Sequence, residues 1–192
     1  MTPAQNDFLH RAYDAASQAG HIFAEMAACE AALESRYGTS ELAAKDNNLF
    51  GMKQHQHPVY GTQVLPTREW LDGKWAAVNS SWIVYPDWKT CFADRMATLK
   101  RLAPAYPHYK NALAAASATT YVMEVSRTWS TDPAWVCSCG EIFLASADSA
   151  SHIVSNPTHQ SMLIPGEGRA EKVLAIYDAI AGNWSATETN SP

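Results

Sequence analysis

The sequence predicts a mostly helical α+β fold interrupted by a single β-hairpin. Apolar residues recur at helical spacing in both halves of the chain. Residues 59–85 instead gather Val, Trp, Tyr, Thr and Ile around Asp72-Gly73, a strong two-residue hairpin turn. The 192 residues suit one domain, and a 47% hydrophobic, 17% charged composition argues for a sizeable core and against disorder.

The first helix is expected at about residues 5–17, where Phe8, Ala12, Ala15 and Ala16 share one side. A second spans about residues 21–37, with Ile22, Met26, Cys29 and Leu33 at steps of four, three and four. Gly38 should end it as a left-handed cap, and Thr39 or Ser40 should cap a short helix reaching Lys45. In the hairpin, Pro66 makes the first arm an edge strand. After Asp87, Cys91, Met96 and Leu99 predict a helix ending before Pro104. Further helices are expected at about residues 111–116, 119–128, 133–147 and 169–181, with Val173, Ile176, Tyr177 and Ile180 striping the last. Residues 149–168 read as a long loop and 187–192 as a flexible tail, leaving residues 1–186 as the single domain with a hairpin lobe at about 59–86.

Charge narrows the function. Lys and Arg number 14 against 19 Asp and Glu, a net charge of −5 with no basic run, which argues against nucleic-acid binding. No stretch approaches the roughly 18 apolar residues of a membrane span. The first twenty residues carry no basic segment leading into an apolar block, so the expectation is a soluble chain made in the cytoplasm without a signal peptide. Cys29 and Cys91 fall in apolar helical patterns as reduced thiols. Cys137-Ser138-Cys139 and His55-Gln56-His57 each lack the further ligands that a zinc site needs, so no metal is expected.

The segment Ala31-Ala32-Leu33-Glu34-Ser35 puts a carboxylate near a helix C-terminus, where the negative end of the macrodipole disfavours another anion. That field, with partial burial, would favour the protonated form that a general acid needs. The alternative is a solvated helix-end carboxylate. Sugars favour aromatic platforms, and Trp70, Trp75, Trp82 and Trp88 cluster in or beside the hairpin.

This segment, with Gly38-Thr39-Ser40, Leu42-Ala43 and Asn48-Leu49-Phe50-Gly51-Met52-Lys53, resembles the endo-β-N-acetylglucosaminidases of glycoside hydrolase family 73, which cut peptidoglycan. Thr67-Arg68-Glu69-Trp70, Gly73-Lys74 and Trp82-Ile83-Val84-Tyr85 resemble the family's hairpin lobe. Asp94 falls where the family usually carries an acidic residue, and Trp129-Ser130-Thr131-Asp132-Pro133 is similar to its Tyr-Ala-Thr-Asp-Pro motif. The resemblance implies a lysozyme-like two-lobed domain that hydrolyses the β-1,4 bond between N-acetylglucosamine and N-acetylmuramic acid. Glu34 would be the general acid and Glu69 a second carboxylate across the cleft. Asn48, Phe50, Trp70 and Trp129 would contact substrate, although Asn48 and Phe50 can equally support the site from beneath. Gly38, Ser40 and Asp132 would be structural supports, with Asp132 capping the helix that Pro133 opens.

Two departures stand out. Trp129 replaces the family's tyrosine and cannot accept a proton. Glu30 stands where relatives often carry an amide; it is either a solvated surface charge or a like charge that helps hold Glu34 protonated. No cofactor is implied. The expected partner is the peptidoglycan glycan strand, with a monomer acting at the cell wall after phage-type release or delivery by a secretion machine. The rival readings are a muramidase or lytic transglycosylase on the same scaffold, and a catalytically silent glycan-binding module.

Overall fold

The computed structural model describes residues 1–54, 59–71, 74–130 and 134–148. The predicted Asp72-Gly73 turn, the His55/His57 pair, Asp132, the helix at 169–181, the loop at 149–168 and the tail lie outside these residues.

Helix α1 (Pro3–Gln18) starts earlier than expected because Thr2 caps it, its hydroxyl accepting from the Gln5 N–H while Gln5 answers onto the Thr2 N–H. It packs Phe8, Leu9, Ala12 and Ala16 against α2 (Ala24–Ser35). Helix α2 is the spine of the molecule, with ten of its twelve residues buried. Such a helix sits inside the fold rather than on its surface.

The end of α2 differs in detail from the expectation. The left-handed cap is Arg36 (φ 53°), and Tyr37 and Gly38 continue in the same region (φ 55° and 76°). Three successive residues therefore turn the chain back sharply. Ser35 stabilises the reversal, its hydroxyl accepting from the Gly38 N–H at 2.8 Å. Ser40, rather than Thr39, then caps α3 (Glu41–Asp46) by accepting from the Ala43 N–H at 3.3 Å.

Strands β1 (Gly61–Leu71) and β2 (Lys74–Val84) pair antiparallel from Gly61↔Val84 to Leu71↔Lys74. Pro66 sits opposite Asn79 on β1, whose sole partner strand among the described residues is β2. The base of the hairpin is tied to the helices. Tyr85 N–H donates to the Asp46 carbonyl at 2.8 Å, and Ile83 N–H donates to that of Met52 at 3.0 Å.

Asp87 caps α4 (Trp88–Leu102), accepting from the Thr90 N–H at 2.7 Å. Then come α5 (Pro107–Leu113), α6 (Ala118–Trp129) and α7 (Trp135–Asp148). Helix α5 begins earlier than residue 111 because Pro107 is preset for a first helical turn. Cys29, Cys91 and Cys139 are buried free thiols, and no metal-binding cluster of three or more ligands occurs among the described residues. No helix among them is long and apolar enough to cross a membrane.

Candidate active site

Glu34 lies in the last turn of α2 and is exposed, not partly buried as the sequence suggested. Its carboxylate is nonetheless held. The indole N–H of Trp135, at the start of α7, donates to Oε1 at 2.7 Å. Trp135 is itself buried (5% exposed), so the donor is fixed by packing and positions the carboxyl group. Oε2 makes no hydrogen bond among the described residues. Sequence reading missed Trp135; a hint lay in an aromatic donor just after the Asp132-Pro133 pair.

Glu30 lies one turn earlier and is not a solvated surface charge: it is fully buried. The reason is that α2 is central, packed against α1 and α7, so the face one turn below Glu34 meets protein instead of water. There Arg95, also fully buried, donates through Nη2 to Glu30 Oε2 at 3.3 Å. Burial pushes the Glu30 carboxyl up to about 7; Arg95 opposes that rise and the Glu34 charge adds to it.

The Arg95 guanidinium stacks on Trp129, 3.4 Å from the ring centroid, and lies 5.3 Å from that of Phe50. Trp129 is half-buried at the C-terminal end of α6, edge-on to Phe50 at 6.5 Å. The residue replacing the family tyrosine is thus joined to the Glu34 helix through Arg95 and Glu30.

Asn48 and Phe50 were open to two readings, and their burial (1% and 4% exposed) favours support over sugar contact. Asn48 Nδ2 donates to the carbonyls of Met52 and Ile83, each at 2.9 Å, and its Oδ1 accepts from the Met52 N–H at 2.8 Å. These bonds pin the loop after α3 onto β2. Phe50 packs edge-on against Phe92 at 5.3 Å. Gly38 and Ser40 shape the turn that leaves Glu34.

On the hairpin, the backbone register pairs Glu69 with Ala76 and Trp70 with Trp75. Trp82 is half-buried, and the Lys53 ammonium lies 5.2 Å from its ring. Trp88 does not belong with the hairpin tryptophans. It packs on Phe8 at 5.0 Å, under the Arg11 guanidinium at 4.5 Å, as part of the helical lobe. Asp94 is half-buried and accepts from the Tyr85 hydroxyl at 2.6 Å.

A buried central helix ending in an exposed, indole-braced carboxyl group, with a β-hairpin tied to the helical part at Asp46 and Met52, describes a lysozyme-like α+β domain. The comparisons with known proteins agree. The glucosaminidase profile, described as mannosyl-glycoprotein endo-beta-N-acetylglucosaminidase, matches residues 10–145. The chain belongs to this family, glycoside hydrolase family 73. A probable N-acetylmuramidase of Lactococcus lactis subsp. cremoris is 31% identical over 131 residues, which are 66% of this chain and 29% of that protein. The chain therefore spans under a third of the curated relative's length. The catalytic domain of an autolysin from Listeria monocytogenes superposes with a TM-score of 0.63 at 24% identity, covering 77% of this chain and 86% of that one. The truncated glycoside hydrolase domain of Salmonella typhimurium FlgJ gives 0.59 at 23%, covering 75% and 98%. At these identities the structural likeness establishes the fold.

Proposed function

We propose that this domain hydrolyses the β-1,4 bond between N-acetylglucosamine and N-acetylmuramic acid in bacterial peptidoglycan, with Glu34 as general acid. The observation that carries this reading is the braced carboxyl group: Trp135 fixes Oε1 at 2.7 Å while the side chain stays open to solvent. Glu34 would give its proton to the glycosidic oxygen as the bond to N-acetylglucosamine breaks.

The second group is either Glu69 or the substrate's own 2-acetamido oxygen. Counting by twos along β1, position 69 follows Gln63, Leu65 and Thr67, which are half-buried where Thr62, Val64 and Pro66 are exposed. A carboxylate there could act on the far side of the sugar. Trp129 offers a ring face for stacking and no proton acceptor, so it takes a binding role. The domain would work at the cell wall as a monomer on glycan strands.

The muramidase reading is favoured by one observation, the name of the Lactococcus relative. Mass spectrometry of fragments released from purified peptidoglycan separates the two. Reducing-end N-acetylglucosamine supports the glucosaminidase; reducing or anhydro muramic ends support the rival. Glu34→Gln should lower release by at least about two orders of magnitude without unfolding the domain, because the side chain is exposed. Wild-type release retained in that variant would remove Glu34 from the role.

A further inference from the structure

We propose that Arg95 is a positioning residue for Trp129: neutralised by Glu30, its guanidinium stacks over the indole and holds the ring as a fixed stacking wall for sugar. The inference rests on the glycosidase reading of that site and adds a specific support for its aromatic wall.

Three observations converge. Arg95 and Glu30 are both fully buried, yet they share a single long hydrogen bond of 3.3 Å. Arg95 Nε and Nη1 and Glu30 Oε1 find no hydrogen-bond partner among the described residues. A pair so poorly satisfied is a weak source of stability, since desolvation offsets much of its attraction. Its geometry instead favours the ring, because the guanidinium sits 3.4 Å from the Trp129 centroid, in stacking contact. The same cation lies 5.3 Å from Phe50, whose ring stands edge-on to Trp129, so the guanidinium plane stacks on Trp129 as a lysine ammonium could not.

Ionisation of Glu30 governs the arrangement. A guanidinium in a dry site needs a counter-charge, and Glu30 supplies it only when deprotonated. Around it stand Cys29 and Glu34 on α2, Arg95 from α4, Tyr109 from α5, Tyr121 from α6 and Cys139 from α7. His21, ahead of α2, also feels Arg95 and stays neutral because burial holds it far below its usual range. Of these groups Arg95 carries the positive charge, and burial outweighs it, so Glu30 gains its proton as pH falls through about 7. The wall should then loosen at mildly acidic pH.

The test uses the full chain and two readouts. In the first, intrinsic fluorescence is titrated from pH 5 to 8.5 for wild type and Trp129→Phe, and the difference isolates Trp129. An inflection near pH 7 that vanishes in Glu30→Gln is expected. A flat difference, or one that persists in Glu30→Gln, overturns the inference whether or not the domain is active. The second is hydrolysis of a soluble peptidoglycan glycan oligomer. Wild-type KM should rise about three- to tenfold between pH 8 and pH 6 with a smaller change in kcat, and Glu30→Gln should lose that dependence. Arg95→Lys, which keeps the charge, should fail to restore a wild-type KM; a wild-type KM in a folded Arg95→Lys protein contradicts the stacking role. Loss of activity in Glu34→Gln tests the glycosidase reading separately.

Discussion

Gly38 gives the sharpest stability test, because two distinct penalties meet there. Its φ is +76°, and a Cβ added to its backbone would lie 2.9 Å from both Cδ2 and Cε2 of Phe8. Phe8 cannot yield easily: it is 4% exposed and wedged against Trp88 at 5.0 Å and Tyr37 at 6.0 Å. For Gly38→Ala, the left-handed backbone costs about 1–2 kcal/mol. Overpacking adds about 1–3 kcal/mol. The stiffer unfolded chain returns only about 0.4–1 kcal/mol. The net expectation is a loss of roughly 2–4 kcal/mol.

Gly20 is the matched control, with φ +73° and nothing within 4 Å of an added Cβ. Gly20→Ala should therefore lose only about 0.5–1 kcal/mol, the backbone share alone. Urea unfolding measures both: at a slope of about 2 kcal/mol per M, the Gly38 variant's midpoint falls by about 1–2 M. A double-mutant cycle with Phe8→Leu should recover at least half of the difference between the two glycines. Equal losses at Gly38 and Gly20 would refute the clash with Phe8.

The other predictions concern the site and its pH response. Trp135→Phe keeps an aromatic ring but removes the donor that positions Glu34, so kcat should fall by about three- to tenfold, the worth of one hydrogen bond, as read in steady-state hydrolysis. Asn48→Ala breaks the buried bonds to Met52 and Ile83 and should cost roughly 2–4 kcal/mol in chemical denaturation. His21 is held near a pKa of about 3 in the fold, against 6.5 when unfolded, chiefly by burial. The unfolded chain therefore binds the extra proton, and stability from this group is lost as pH falls from 6.5 toward 3. Glu30 has the opposite sign: its folded carboxyl holds a proton from 4.5 up to about 7, so its contribution falls as pH rises through that window. The two slopes cancel between pH 4.5 and 6.5, and Glu30→Gln should expose a His21 slope of up to about 1.4 kcal/mol per pH unit in that range. Stability curves of that variant parallel to wild type across this range would contradict the assignment.

The sequence by itself determined the elements, because helix and strand periodicity and caps are local. Ser40 and Asp87 mark starts that need only the residues beside them, whereas the start at Pro107 came four residues before the expected one. The motif from Ala31 to Ser35, the loop at Asn48 to Met52 and the hairpin around Asp72-Gly73 were enough to point to the family and to Glu34. They could not tell whether Asn48 touches sugar, since burial depends on what β2 brings over the loop.

Only the tertiary structure decided the surroundings of the acid. Trp135 meets Glu34 across 101 positions and Arg95 meets Glu30 across 65, separations that no local pattern encodes. Glu30 read as a surface charge because most glutamates are solvated. Its burial follows from α2 being packed against α1 and α7 with the Arg95 side chain reaching Glu30 from α4, a property of the assembled helices and not of the helix itself. Position along the chain determined which groups exist, and packing decided which of them meet, Trp135 at Glu34 and Arg95 at both Glu30 and Trp129.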